Sequence, residues 1–227
     1  MLRVSEHYVS SQGEGPRTGT MTQFLRFAGC NMRCPGWPCD TPHAIFPELI
    51  LKDSRKKTVD DIVMDCLEHW PIRQICWTGG EPFVQKEDEL YNLARFLWAE
   101  GFTIECFSNG SFPYPDWAQD IDFIMDWKLE GSGEATTNRD VRIVNALTLK
   151  RTDAIKFVVV DRYDLLEAKD VYHTLIDQGC KAQFWVGRAW DTMDDAFLVE
   201  WVLKENLNWK LNVQVHKYIW SPETRGV

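Results

Sequence analysis

Short runs rich in β-branched and aromatic residues alternate along the chain with segments whose apolar residues recur every three or four positions. The runs cover residues 22–27 (TQFLRF), 74–78 (QICWT), 102–107 (FTIECF), 122–126 (DFIMD), 154–160 (AIKFVVV), 182–186 (AQFWV) and 210–215 (KLNVQV). Their composition predicts strands, several of them covered on both faces. Between them, Thr58 followed by Asp61 predicts a capping box that opens a helix running through Trp70. Leu90, Leu93, Ala94 and Leu97 recur at helical spacing up to a stop at Gly101, and residues 163–177, closed by Gly179, and 192–205 behave likewise. Strand–helix units joined repeatedly in one direction predict an α/β fold with parallel strands and helices outside, either a complete or partial α/β barrel or a doubly wound sheet. In each of these a ligand belongs at the carboxyl ends of the strands.

Composition narrows the picture. The 227 residues hold no internal repeat, low-complexity tract or Pro/Ser linker, so a single domain over residues 1–227 is expected. A hydrophobic fraction of 44% and a charged fraction of 26% are enough for a sizeable core. Against 25 Lys and Arg stand 34 Asp and Glu, a net charge of −9 that argues against a broad grip on nucleic-acid phosphates and favours a small ligand. No apolar run approaches the roughly 20 residues a bilayer requires, and the first residues have no apolar signal-peptide core, so no membrane role and a cytoplasmic location are expected. Seven cysteines are unevenly placed: three fall within residues 30–39, while Cys66, Cys76, Cys106 and Cys180 lie in apolar stretches and read as small core residues. Most of the eleven tryptophans read as core or dimer-interface residues, with Trp37, inside the cysteine loop, set apart.

The candidate chemistry follows the strands. After the first comes Gly29-Cys30-Asn31-Met32-Arg33-Cys34-Pro35-Gly36-Trp37-Pro38-Cys39-Asp40-Thr41-Pro42. Three thiols on one loop suit an iron–sulfur cluster with one open iron, a zinc site completed by a fourth ligand, or no metal at all. After the second strand, Gly79 and Gly80 remove side chains so that a ligand can approach the backbone, with Glu81 beside them to favour a cation; a Gly-rich turn into a helix has the same pattern. Ser108 and Asn109 follow the third strand, and Asp126 and Lys128 follow the fourth as a ligand-facing or merely surface ion pair.

These motifs together carry a resemblance. A three-cysteine loop after the first strand, Gly-Gly-Glu after the second and Ser-Asn-Gly after the third resemble the radical S-adenosylmethionine (SAM) enzymes, which implies a partial or modified (β/α)6 barrel with parallel strands and a cluster loop over residues 28–43. More narrowly, Ser11-Gln12-Gly13-Glu14-Gly15, the run from Phe24 to Cys34, Cys39-Asp40-Thr41-Pro42, Asp126-Trp127-Lys128 and the ending Gln214-Val215-His216-Lys217-Tyr218-Ile219-Trp220 resemble the 7-carboxy-7-deazaguanine synthase family of the queuosine-type 7-deazapurine pathway. Two departures stand out. The family spaces its cysteines C-x3-C-x2-C, whereas Pro35-Gly36-Trp37-Pro38 separates Cys34 from Cys39, and Phe184-Trp185-Val186-Gly187 lacks the Gln-Pro pairing expected after the sixth strand.

The resemblance implies that Cys30, Cys34 and Cys39 hold a 4Fe–4S cluster whose open iron binds the amino and carboxylate groups of SAM. Reductive cleavage, driven by a low-potential donor such as flavodoxin, then gives methionine and a 5′-deoxyadenosyl radical. Gly79, Gly80 and Glu81 hold the methionine part, with Ser108, Asn109, Lys128 and Ser132 near the rest of the nucleoside. The implied reaction is hydrogen abstraction from C6 of 6-carboxy-5,6,7,8-tetrahydropterin and ring contraction to 7-carboxy-7-deazaguanine with loss of ammonia, carried out by a homodimeric carbon–nitrogen lyase. In it Arg26 clamps the substrate carboxylate, Gln12 and Glu14 read the aminopyrimidinone edge, His216 touches substrate, and Thr41 contacts a magnesium ion. Two rivals remain: a radical SAM activase installing a glycyl radical on a partner protein, which has no need of the Gln-Gly-Glu-Gly or Gln-Val-His-Lys segments, and a non-catalytic zinc-binding interaction module.

Overall fold

The computed structural model describes residues 1–37, 39–69 and 71–227, and all nine strands join one sheet. β1 (Leu2–Ser11) pairs antiparallel with β2 (Met21–Phe27) and, at its other edge, with β3 (Arg55–Lys57), which follows the short helix α1 (Pro47–Asp53). From β2 onward every pairing is parallel, through β4 (Gln74–Gly79), β5 (Thr103–Ser108), β6 (Asp122–Trp127), β7 (Ala154–Val159), β8 (Gln183–Arg188) and β9 (Trp209–Leu211). The helices α2 (Val59–Glu68), α3 (Glu87–Ala99), α4 (Arg139–Thr148), α5 (Arg162–Asp177) and α6 (Asp195–Lys204) are interleaved with these strands, and α7 (His216–Ile219) closes the C-terminal segment.

All seven predicted parallel strands are present. The last is shorter than its 210–215 pattern, because after Leu211 the chain leaves β8 with a single further bond, from Asn212 N–H to the Val186 carbonyl, and turns toward the Gln-Gly-Glu-Gly segment. The capping box is formed as read: Asp61 N–H donates to Thr58 Oγ1 at 3.1 Å, and Asp61 Oδ2 accepts from Thr58 N–H at 3.0 Å. The Trp70 end of that predicted helix lies outside the described residues. On α3 the four predicted apolar positions are fully buried, and on α5 the Asp161 carboxylate caps the N–H groups of Tyr163 and Asp164 above a buried stripe of Leu165, Ala168, Val171 and Leu175.

Alternation along the parallel strands divides the sheet into two unlike faces. Leu25, Phe27, Ile75, Trp77, Ile104, Cys106, Phe123, Met125, Trp127, Ile155, Phe157, Val159, Phe184 and Val186 form one apolar cluster with the helices. The intervening residues, Arg26, Cys76, Glu105, Asp126 and Lys156, face the other way. The edges are not paired to each other, so the barrel is partial. Yet β1 and β9 are seven strand spacings apart, roughly 34 Å in a flat sheet, and the residues that follow them meet: Val215 N–H donates to the Gly13 carbonyl at 3.0 Å. The sheet therefore curves, and the segments that follow β1 and β9 meet over its polar face. Among the described residues no helix is long and apolar enough to cross a membrane.

Thr58→Ala removes one side-chain acceptor from the start of α2 and is expected to cost about 1 kcal/mol of stability. Urea unfolding of the two proteins would reveal it as a lower midpoint with an unchanged slope.

Candidate functional site

The cysteine loop begins where β2 ends and is closed at its base by a bond from Gly29 N–H to the Ala44 carbonyl at 2.7 Å. Next to it, β4 ends against the same backbone. Gly80 N–H donates to the Phe27 carbonyl at 3.1 Å and Glu81 N–H to the Gly29 carbonyl at 2.8 Å. The contact has no room for side chains: a Cβ on Gly79, whose φ is +130°, would lie 2.0 Å from the Phe27 oxygen, and one on Gly80 would lie 2.1 Å from the Gly29 oxygen. The two glycines thus have an immediate structural task, the seating of the cysteine loop on β4, beyond the ligand approach read from sequence.

Within the loop, Cys30, Cys34 and Cys39 are free and half-buried, and Cys34 adopts a left-handed backbone conformation. Met32 N–H donates to Cys30 Sγ at 3.4 Å. Burial raises the Cys30 thiol and pushes Cys34 up to about 11, with the neighbouring thiols adding to the rise while the Lys128 ammonium opposes it. Among the described residues, no three His, Cys, Asp or Glu side chains close around a single ion. Three thiols from one loop, with His43 held by Glu6 instead, fit a larger inorganic cluster with an open position better than a closed zinc site. Such thiols become thiolate ligands when metal charge displaces their protons.

Glu81 does not face outward as a free anion. Its side chain is fully buried, with Oε1 accepting from Ser108 Oγ at 3.0 Å and Phe83 N–H at 3.1 Å, and Oε2 accepting from Asn109 N–H at 2.7 Å. Burial pushes its carboxyl up to about 7. It welds the end of β4 to the end of β5, and Asn109 Nδ2 continues the weld to Asn31 Oδ1 at 3.1 Å in the cysteine loop.

Beyond β6, Lys128 donates to Asp126 Oδ2 at 3.0 Å and lies 5.6 Å from the Trp37 ring centre. It is buried, so the pair is no surface ion pair. Ser132 is also buried, its hydroxyl donating to the Leu129 carbonyl at 2.5 Å and accepting from Glu134 N–H at 3.0 Å. The described part of the insertion turns back onto this segment. Gly36 N–H donates to the Ser132 carbonyl at 3.3 Å, and a Cβ at residue 36 would lie 1.7 Å from the Gly131 oxygen. Pro38, the last inserted residue, lies outside the described residues.

Two segments some 200 positions apart in sequence meet on the same face. Glu14 accepts from Lys156 at 3.3 Å and from Asn212 Nδ2 at 3.2 Å, while Gly15 N–H donates to Asn212 Oδ1 at 2.9 Å. His216 lies directly over Gly13, where a Cβ would fall 2.2 Å from Nδ1, and burial lowers its ring below the usual histidine range. Gln12 is already occupied: its amide donates to Glu105 Oε1 and accepts from Glu14 N–H at 3.2 Å. Lys217 joins the C-terminal segment to the cysteine loop through Asp40 at 3.2 Å. Thr41 Oγ1 donates to the Gly79 carbonyl at 3.3 Å and lies 3.6 Å from Cys39 Sγ.

Arg26 is already engaged within the chain. Its Nε donates to Glu6 Oε2 at 2.7 Å and an Nη to Tyr8 at 3.2 Å, so a carboxylate of the chain already answers its charge. The same Glu6 accepts from His43 at 3.1 Å and Arg225 at 2.9 Å. Burial alone would raise this carboxyl, but the His43 bond and the Arg26 and Arg225 charges outweigh it and hold it at about 2. Sequence reading missed Glu6, Glu105, Lys156 and Asn212. The available signal was a lone charge at an inner position of an apolar run, as in TIECF and AIKFV.

Residues 11–126 match the family model of a 4Fe-4S single cluster domain. The chain is 34% identical over 222 residues to a 7-carboxy-7-deazaguanine synthase of Methanospirillum hungatei, covering 97% of this chain and 86% of that one. It is 34% identical over 238 residues to the Koribacter versatilis protein of the same name, covering both chains fully. Among solved structures, that of QueE from Escherichia coli superposes with a TM-score of 0.71 at 20% identity, covering 93% of this chain and 92% of that one. Streptococcus suis SuiB bound to S-adenosylmethionine gives 0.56 at 12% identity, over 83% of this chain and 51% of that one.

Gly80→Ala is expected to unseat the cysteine loop, so that iron bound per chain after anaerobic reconstitution falls several-fold while the far-ultraviolet dichroism stays native. Full iron loading would show that the loop absorbs the methyl group. A second expectation concerns pH. Because the folded Glu6 carboxyl is depressed to about 2 from 4.5, its stabilisation is present above about 4.5 and is lost as pH falls toward 2. Glu6→Gln is therefore less stable than the parent at neutral pH, and the gap in urea midpoint closes through that window.

Proposed function

Because the chain belongs to the 7-carboxy-7-deazaguanine synthase family, we propose that the polar face of the sheet is where a radical SAM reaction contracts 6-carboxy-5,6,7,8-tetrahydropterin to 7-carboxy-7-deazaguanine. The observation that carries this assignment of place is the convergence of the Gln-Gly-Glu-Gly and Gln-Val-His-Lys segments beside the three-thiol loop on one face of the sheet. When bound, the 4Fe–4S cluster and SAM supply an electron and radical hydrogen abstraction, chemistry that no side chain here offers.

The chain's own residues bind, aim and exclude water. Cys30, Cys34 and Cys39 hold the cluster. Gly79 and Gly80 leave the end of β4 bare for the methionine part of SAM, and Glu81 braces that edge through Ser108 and Asn109. Lys128, Asn109 and the segment at Ser132 border the nucleoside; Ser132 contributes through backbone and turn, since its hydroxyl is occupied. Glu14 is the acceptor for donor groups of the substrate ring, with Gln12 held beneath it by Glu105 and His216 above it. Arg26 reaches the substrate carboxylate by exchanging Glu6, which retains His43 and Arg225. Thr41 gives one oxygen to a magnesium ion whose other ligands are substrate and water. Loss of ammonia makes the enzyme a carbon–nitrogen lyase. A flavodoxin-type reductant, homodimeric assembly and action of residues 1–227 as one unit complete the reading.

The test is anaerobic incubation of reconstituted, reduced protein with SAM and the carboxytetrahydropterin, followed by mass detection of carboxydeazaguanine. Formation of 5′-deoxyadenosine without that product would remove the substrate assignment, and a colourless protein carrying stoichiometric zinc would remove the enzyme. Cys39→Ala is expected to abolish SAM cleavage, and undiminished cleavage would overturn its role.

A further inference from the structure

Lys156 is the one lysine in the middle of β7, flanked by the core residues Ile155 and Phe157 on the opposite face. Its side chain is 8% exposed, and its ammonium sits 3.3 Å from Glu14 Oε2, 3.9 Å from Asp126 Oδ2 and 5.5 Å from the Phe107 ring centre. Asp126 is its register partner on β6. With Lys128, these groups form a row of alternating charge, Lys128–Asp126–Lys156–Glu14, from the edge of the cysteine loop to the Gln-Gly-Glu-Gly turn. A row of buried ion pairs is a poor source of stability, because desolvation cancels most of the attraction. The row is also incomplete: among the described residues, buried Asp126 Oδ1 has no hydrogen-bond partner. An oxygen left so costs free energy unless a donor arrives.

We propose that Lys156 is a positioning residue for substrate: it fixes Glu14 and Asp126 as two ionised acceptors facing one space, where ring N–H donors of an aminopyrimidinone bind. The inference deepens the reading of Glu14 as a substrate contact and rests on it. The electrostatics agree. Burial would raise both carboxyls, but Glu14 is held below its ordinary value first by Lys156, and Asp126 first by Lys128 and then by Lys156. Without Lys156, Glu14 keeps the Asn212 and Gln214 amides and the neighbourhood of His216, but among the described residues it has no lysine or arginine in contact. Lys156 does not touch the reacting atoms; it acts through the two acceptors.

A double-mutant cycle tests this, with oxidised 6-carboxypterin as a fluorescent probe titrated into SAM-loaded holoenzyme and KM and kcat measured for turnover. Losing one partner of a buried charge pair predicts that Lys156→Met weakens probe binding roughly thirtyfold or more. KM is expected to rise by a similar factor with a smaller change in kcat, and Lys156→Arg to recover most of the binding. Glu14→Gln weakens binding comparably, and the double variant, which removes both charges and spares the fold an unpaired one, is no worse than either single. Additive losses, or a Lys156→Met protein that binds the probe as tightly as the parent, overturn the proposal. If that tight binding accompanies a weakened Glu14→Gln, the reading of Glu14 survives alone; if Glu14→Gln binds normally, both fall.

Discussion

Charge placed on the inner face of a buried sheet must be answered by an opposite charge or a hydrogen bond, and in this protein each answer comes from a different part of the chain. Lys156 on β7 is met by Glu14 from the hairpin, Arg26 on β2 by Glu6 on β1, and Glu105 on β5 by the Gln12 amide. Asp40 in the cysteine loop is met by Lys217 near the C-terminus. An unpaired ion at Lys156, Arg26 or the buried Lys217 would cost several kcal/mol, so the hairpin, loop and C-terminal segment are drawn over the open face by the need to neutralise it. The apolar cluster on the other face makes the sheet stable; the polar face decides what lies above it.

Two kinds of contact bring the reactive loop to that face. Backbone packs on backbone where β4 meets the start of the loop, which requires the pair Gly79 and Gly80. Side-chain amides and the Glu81 carboxylate then tie strand ends to one another and to the loop. The first sets height above the sheet, the second sets direction. Together they hold three thiols beside the ammonium of Lys128 and the end of β4.

The alternating units were legible because most helices bury an apolar stripe on a sheet of apolar strands. On α3, Leu90, Leu93, Ala94 and Leu97 give that signal directly. α4 escaped because its pattern is inverted: it buries Arg142 and Asn145, which hydrogen-bond carbonyls of the loops after β5 and β6, while Val144 and Leu147 face solvent. β1 escaped because its middle residues, Glu6 to Tyr8, lie beyond the reach of the three-residue β3 and are polar or amphipathic. In the site, the two distant segments and the three thiols were readable as motifs. What motifs cannot give is partnership. Nothing near Arg26 in sequence announces Glu6, and the charges of Lys156 and Glu105 look like ordinary interruptions of a strand until the register aligns them.

The described residues between Cys34 and Cys39 are anchored rather than loose, since Gly36 lies flat on the Gly131 carbonyl with no space for even a methyl group. Lengthening one loop has thereby created an obligation in another. In descendants of this chain, residue 36 and the turn at 131 can vary only in concert, and a lineage that trims the loop back frees both at once. Covariation between these two sites, confined to sequences with the longer spacing, is the trace such a bond leaves in a family's history.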